Sequence, residues 1–169
     1  MIYLRNAFRL FVPQYGSINS TKNEKVVVLL EGQCGKLFFS RLQENDDVAD
    51  SVKKKAGESG IKAGIFILIG ALKCAELGCY KEGEYVTTRL DGPLEVASCM
   101  GNIAVDEKGE TIVHAHIVVS KENGQAYGGH LMRGCLVGPT AELVVLEAVG
   151  VGLQRRYDEK TKLKLLNLG

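Results

Sequence analysis

The sequence predicts an α+β domain: a curved, largely antiparallel β-sheet carrying one main amphipathic helix. Two observations predict it. Only one stretch, with Val48, Val52 and Ala56, repeats its apolar residues every four positions as a helix face does. From residue 25 onward, everything else reads as short β-branched and aromatic runs parted by Gly, Asp, Asn or Pro.

Taken in order, residues 1–24 carry Arg5, Arg9 and Lys22 before the first acid, Glu24. They are expected to form an N-terminal extension without regular structure, with an organelle transit segment as the lesser alternative. The domain itself is expected over residues 25–169. It opens with the strands KVVVLLE (25–31) and KLFFSRL (36–42), joined by a Gly-containing turn at 32–35. Asn45, Asp46 and Asp47 then supply N-cap chemistry and Gly60 sits where a helix stops, which predicts one helix over 47–59. The run that follows, IKAGIFILIGALKCAELGCY, begins as an unbroken apolar stretch, as expected of a central strand covered on both faces with the helix on one of them. Further strands are expected at EYVTTRL, LEVASCMGNIAV, ETIVHAHIVVS, QAYGGHLMRGCLV and AELVVLEAVGV.

Composition narrows the function. Lys and Arg number 21 against 20 Asp and Glu, so the summed field offers little attraction to phosphate backbones or anionic lipid. The run Lys53-Lys54-Lys55 lies on the predicted helix and reads as its solvated face. The longest apolar run, residues 65–72, is too short to span a membrane. Five cysteines without a C-x-x-C spacing point to reduced, mostly buried thiols and a cytoplasmic setting. Cys74 and Cys79, an odd number of residues apart on a strand, should face opposite ways.

All three histidines of the chain fall within seventeen residues. His114 and His116 stand two apart, so a strand projects both from one face. Asn123-Gly124 is the strongest hairpin signal before His130. A three-residue loop at 122–124, with Gly124 in the left-handed conformation, sets Lys121 against Gln125 and His116 against His130, gathering all three rings on one face. A two-residue turn would send His130 to the other face unless Gly128-Gly129 forms a bulge. In the first register the three imidazoles make a site for a divalent metal. Zinc is the leading candidate, with iron, nickel, cobalt and manganese as alternatives. Three protein ligands leave a fourth position for water or substrate, the arrangement of catalytic zinc. Gly128 and Gly129 would give a ligand close backbone access beside His130.

Glu142, amid the apolar AELVVL, and Glu95, in GPLEVA, are candidates for acid/base or metal-supporting roles, and each reads equally well as the outward residue of an alternating strand. Arg133 could hold a substrate carboxylate, although exposed arginines are common. No Walker loop, G-x-S-x-G elbow or dinucleotide fingerprint is present.

The order Leu-Glu (94–95), Gly-Asn-Ile (101–103), His-Ala-His (114–116), Gly-Gly-His-Leu (128–131) and Ala-Glu (141–142) resembles the plants-and-prokaryotes-conserved (PPC) domain family. The likeness runs from about Lys25 to Lys164, through FFSRL, SGIKAG and the RRYDEKTKL tail, and leaves out only the N-terminal segment. It implies a compact α+β domain that forms a homotrimer and carries the three histidines as a metal site. The fold it implies is also similar to that of acetolactate decarboxylase, a metalloenzyme with an H-x-H and a later His. Metal-dependent lyase or hydrolase chemistry on a small anionic molecule is thus one expectation. A DNA-associated or protein-interaction module without enzymatic activity is the other. Plant members of the family add AT-hooks, but no Arg-Gly-Arg-Pro core occurs here, and specific DNA binding is not expected. In those plant proteins the segment matching residues 92–97 is implicated in partner contacts, which would make Glu95 an interaction residue; Pro93 and Leu94 depart from the plant pattern.

Overall fold

A computed structural model describes residues 29–168. The expected extension at 1–24 and most of the strand expected at 25–31 lie outside the described residues. The elements run β1 (Gln33–Leu42), α1 (Val48–Glu58), β2 (Gly64–Lys81), β3 (Glu84–Val105), β4 (Thr111–Ser120), β5 (Ala126–Leu131), β6 (Leu136–Val149), β7 (Gln154–Asp158) and β8 (Leu163–Asn167). The strands form one sheet in the order β1-β6-β2-β5-β4-β3-β7-β8, and β2 also pairs with β3. That extra pairing closes β2, β5, β4 and β3 on one another, so the predicted curvature is strong enough to bring the sheet round to itself. All pairings are antiparallel except the single β3–β7 rung.

The helix forms where its caps dictate. The Asp47 carboxylate accepts from the Asp50 N–H at 3.0 Å, and Gly60 takes a φ of +70°, which a side chain would resist, just past the last turn. The second Asp47 oxygen accepts from the Gly134 N–H at 2.7 Å and ties the helix start to the turn between β5 and β6. Val48, Val52 and Ala56 are buried against β4 and β6, in one core with Phe66, Leu68, Ile117 and Leu143. Lys53 and Lys54 are exposed on the opposite face, as a solvated stripe should be.

Several strand expectations change. The turn expected at 32–35 is a register shift inside β1, where the pairing with β6 slips between Cys34 and Leu37. EYVTTRL and LEVASCMGNIAV are one continuous strand, β3, running through Gly92-Pro93. Pro93, which has no N–H to donate, is tolerated because it falls in the irregularity between the Leu72 and Cys74 pairings. Conversely, QAYGGHLMRGCLV breaks at residues 132–135, and its end joins AELVVLEAV in β6. The tail forms the unanticipated hairpin β7–β8.

The central strand β2 is covered on one face only. Phe66, Leu68 and Leu72 are buried, while Ile65, Ile67 and Ile69 alternate with them and are about half exposed at 50%, 47% and 52%. The helix occupies the core side, and no described element covers these three isoleucines on the other. Cys74, Cys99 and Cys135 are buried and Cys34 and Cys79 exposed, so Cys74 and Cys79 do face apart. Burial pushes the Cys99 thiol up to about 12 and that of Cys135 to about 11, which leaves both protonated and unreactive at neutral pH. No described helix is long and apolar enough to cross a membrane.

Candidate metal centre

The β4–β5 hairpin adopts the three-residue loop. Lys121 N–H donates to Gln125 O at 3.0 Å, Gly124 N–H donates to Lys121 O at 2.8 Å, and Gly124 has a φ of +77°. The Asn123 side chain accepts from Gln125 N–H at 3.0 Å and fixes the turn from within. Register follows: Ser120 pairs with Ala126, and His116 with His130. Ala115, Ile117 and Val119 point into the core, so His114 and His116 share the outer face of β4, and His130 joins them from β5.

The ligand nitrogens of the three rings all lie within 4.8 Å of one another. A tetrahedral zinc with bonds of 2.0–2.1 Å holds its nitrogens about 3.4 Å apart, so a small inward turn of the rings closes on an ion. His114 and His130 are partly buried and His116 exposed. The His130 Nδ1 is enclosed and has no hydrogen-bond partner among the described residues, which fits a nitrogen reserved for a ligand. Burial, then the neighbouring His114, lowers the His130 pKa to about 4, and burial also lowers that of His114. Neutral imidazole is the form that binds a metal, so donors and protonation state both fit a borderline divalent ion.

The rest of the site comes from residues to which the sequence patterns assigned no role. Tyr85 of β3 stacks on His130 with ring centroids 4.6 Å apart. Gly78 of β2, which pairs with His130, makes room for it: a Cβ there would stand 2.9 Å from the Tyr85 ring. The β7–β8 hairpin folds over the same outer face. Tyr80 O–H donates to Thr161 O at 2.7 Å, Lys164 Nζ donates to Asp106 at 3.3 Å, and Arg155 donates to Asn102 Oδ1 at 3.0 Å. Asn102 pairs with His114, so the Gly-Asn-Ile motif carries the link between tail and centre. Between this hairpin and the histidines lies a half-open pocket of about 270 Å³ lined by His114, His130, Tyr85 and Arg155 among others.

Other candidates lie apart from the histidines. Glu142 is exposed on β6 beside Ile69, whereas His130 pairs at Gly78, nine residues further along β2 and roughly 30 Å of extended chain away. Glu95 is exposed on β3 and pairs with Ala71 and Ser120. Arg133 lies in the turn after β5 and makes an ion pair with Asp50 at 2.7 Å, against the helix. The two acids stand among apolar neighbours, and alternation on a one-sided sheet is enough to explain that setting. Gly128 and Gly129 do flank His130, but their missing side chains admit protein backbone: a Cβ at Gly129 would stand 2.8 Å from Gly78 O, and one at Gly128 would stand 3.3 Å from Ile117 O.

An apolar row leads straight to the centre. Phe39 pairs with Val144, Val144 with Ile67, Ile67 with Met100, and Met100 with His116. Phe39, Ile67 and Met100 are 75%, 47% and 58% exposed, so the row is an open apolar surface ending at the exposed His116.

The depressed histidines have a consequence for stability. An unfolded chain binds a proton at His130 below its ordinary value of 6.5, and the folded chain refuses it until about 4. The metal-free protein should therefore hold its full stability above pH 6.5 and lose on the order of 2 kcal/mol as pH falls toward 4, with His114 adding in the same direction. Urea denaturation of metal-free protein at pH 7 and 4.5 checks this, and equal midpoints would contradict it.

Comparison with known proteins bears on this arrangement. The family model of the Plants and Prokaryotes Conserved (PCC) domain matches residues 29–149. A metal-containing protein from Archaeoglobus fulgidus is 32% identical with a TM-score of 0.74, over 82% of this chain and 98% of that one. A plant- and prokaryote-conserved protein from Pyrococcus horikoshii is 29% identical with a TM-score of 0.76, over 83% and 97%. A protein from Ralstonia eutropha, provisionally described as DNA-binding, is 26% identical with a TM-score of 0.69, over 78% and 90%. Among curated proteins, the Bifunctional protein GlmU of Synechococcus sp. is 30% identical over 129 residues, which span 75% of this chain and only 19% of that protein.

Proposed function

The chain belongs to the Plants and Prokaryotes Conserved domain family, and from that footing we propose that it is a metal-binding protein in which His114, His116 and His130 hold one divalent cation, zinc foremost. One observation carries this: three imidazoles on a rigid hairpin, their nitrogens within 4.8 Å, with one enclosed nitrogen that has no hydrogen-bond partner among the described residues. The metal-containing relative from Archaeoglobus fulgidus supports it. A bound ion would supply Lewis acidity at a position open to the pocket. Around it, Tyr85 holds the His130 ring by stacking, and Asn102 and Arg155 hold the tail over the centre. Such a site suits lyase or hydrolase chemistry on a small anionic molecule. Metal analysis of protein purified without an affinity tag tests the proposal; a metal content well below one per chain after zinc loading would refute it.

The same reading includes a homotrimer. The apolar row from Phe39 to Met100, with Ile65 and Ile69 beside it, is the surface that copies of this chain would cover, and covering it would also bring a neighbour close to His116. Light scattering at micromolar concentration should return three times the 18.3 kDa chain mass. A monomer mass would count against the assembly.

Specific DNA recognition has less behind it. The net charge is +1, and the lysine run on the helix is partly neutralised, with Lys54 4.0 Å from Glu58. Affinity for duplex DNA at physiological salt should be roughly 10⁻⁴ M or weaker and indifferent to sequence. Sub-micromolar, sequence-dependent binding in a gel-shift or anisotropy titration would favour the DNA-associated reading instead.

A further inference from the structure

Arg155 is a cation in an unusual position. It is only 6% exposed, yet no carboxylate among the described residues pairs with it. Its two hydrogen bonds go to neutral acceptors, the Lys164 carbonyl at 2.9 Å and the Asn102 side chain at 3.0 Å. Its Nε is enclosed and has no hydrogen-bond partner among the described residues. A guanidinium has five N–H donors, so more than half of this one's capacity is unspent. Burying an arginine without a counter-charge is costly, and proteins rarely retain one unless an anion completes it.

The surroundings say where that anion would sit. Arg155 lines the 270 Å³ pocket together with His114 and His130, and no lining side chain is acidic. The other cation there, Lys164, is already engaged by Asp106 at 3.3 Å. Tyr85 faces the same space, and burial raises its pKa, which keeps its phenol a neutral donor. The volume admits a molecule of several heavy atoms.

We propose that Arg155 is the anchor of an oxyanion site in this pocket, and that its ligand is a small carboxylate held by the guanidinium with a second oxygen turned toward the histidine centre. This rests on the metal-binding reading for the second contact only; the contact to Arg155 stands without it. Carboxylate is favoured because the planar fork of a guanidinium matches its two oxygens. Arg155, buried and unspent, thus takes the role that sequence patterns had offered to Arg133.

Calorimetric titration of the zinc-loaded full chain with glycolate, acetate and inorganic phosphate tests this. Glycolate, which has a second oxygen donor, should bind more tightly than acetate. Arg155→Gln should weaken glycolate at least tenfold while zinc content holds, and Arg156→Gln, the same charge change on the exposed neighbour, should leave it unaltered. Should Arg155→Gln fail to fold, Arg155→Lys keeps the charge without the fork and should still weaken binding severalfold. Zinc retained with no glycolate binding, or equal binding by the wild type and a folded Arg155 variant, would overturn the site. Arg155-dependent binding of phosphate in preference to glycolate would overturn the carboxylate assignment. Glycolate bound by a chain that takes up no zinc would support the Arg155 anchor while refuting the metal reading alone.

Discussion

Replacing His116 by Ala is expected to take the zinc content of the protein from about one per chain to near zero at micromolar concentrations. His116 is the exposed member of the three, so its loss removes a ligand without opening the core. Two imidazoles cannot complete a closed coordination shell, and removing an inner ligand costs more than the 10–100-fold typical of its outer supports. The strand should survive, because Ala115 and Ile117 hold β4 in the core on the other face and the hairpin pairing uses only backbone groups. Elemental analysis beside circular dichroism separates the two effects. Zinc retained by a folded His116→Ala protein would sink the three-histidine centre. Glu142→Gln is the matched control: its side chain lies on the sheet beside Arg41 and Ile69, and zinc content should not change.

That contrast also marks what the sequence discloses and what it hides. The histidine face was legible because its determinants are local. Asn123-Gly124 sets the turn, the turn sets the register, and a period of two does the rest. The helix was legible for the same reason, since Asp47 and Gly60 act within a few residues of the bonds they complete. What remained hidden depends on partners far along the chain. An alternation of two apolar faces at Ile65–Ile69 looks like a doubly covered strand, but whether anything covers the second face is decided by elements elsewhere, and here it is open. Arg155 sits forty-one residues after His114, and only the folding back of β7–β8 onto Asn102 brings it to the pocket. Glu142 and Glu95 drew attention as isolated charges, a signal that a one-sided sheet produces at every outward rung.

Gly101→Ala should be the most destabilising methyl that can be added near the centre. Gly101 faces inward on β3 between the buried Cys99 and Ile103, and it pairs with Ala115, the residue between the two histidines of β4. A Cβ there would run into the carbonyl oxygen of His114 and stand 2.6 Å from Ala115 Cβ and 2.8 Å from its Cα. None of these atoms ends a flexible side chain, so relief requires β4 to move away from β3. Overpacking against backbone in a dense interior costs about 3 kcal/mol or more, equivalent to a fall of roughly 10 °C in Tm for a chain of this length. Displacing β4 also tilts His114 and His116 relative to His130, so zinc affinity should drop along with stability. Gly57→Ala makes the complementary test, because nothing lies within 4 Å of its added methyl and a helix prefers alanine to glycine, by up to about 1 kcal/mol in its interior and less in the last turn where Gly57 stands. Thermal melts with and without zinc should therefore move in opposite directions for the two variants, and a Gly101→Ala protein melting within 2–3 °C of wild type with full zinc content would show that the β3–β4 contact does not hold the histidines in place.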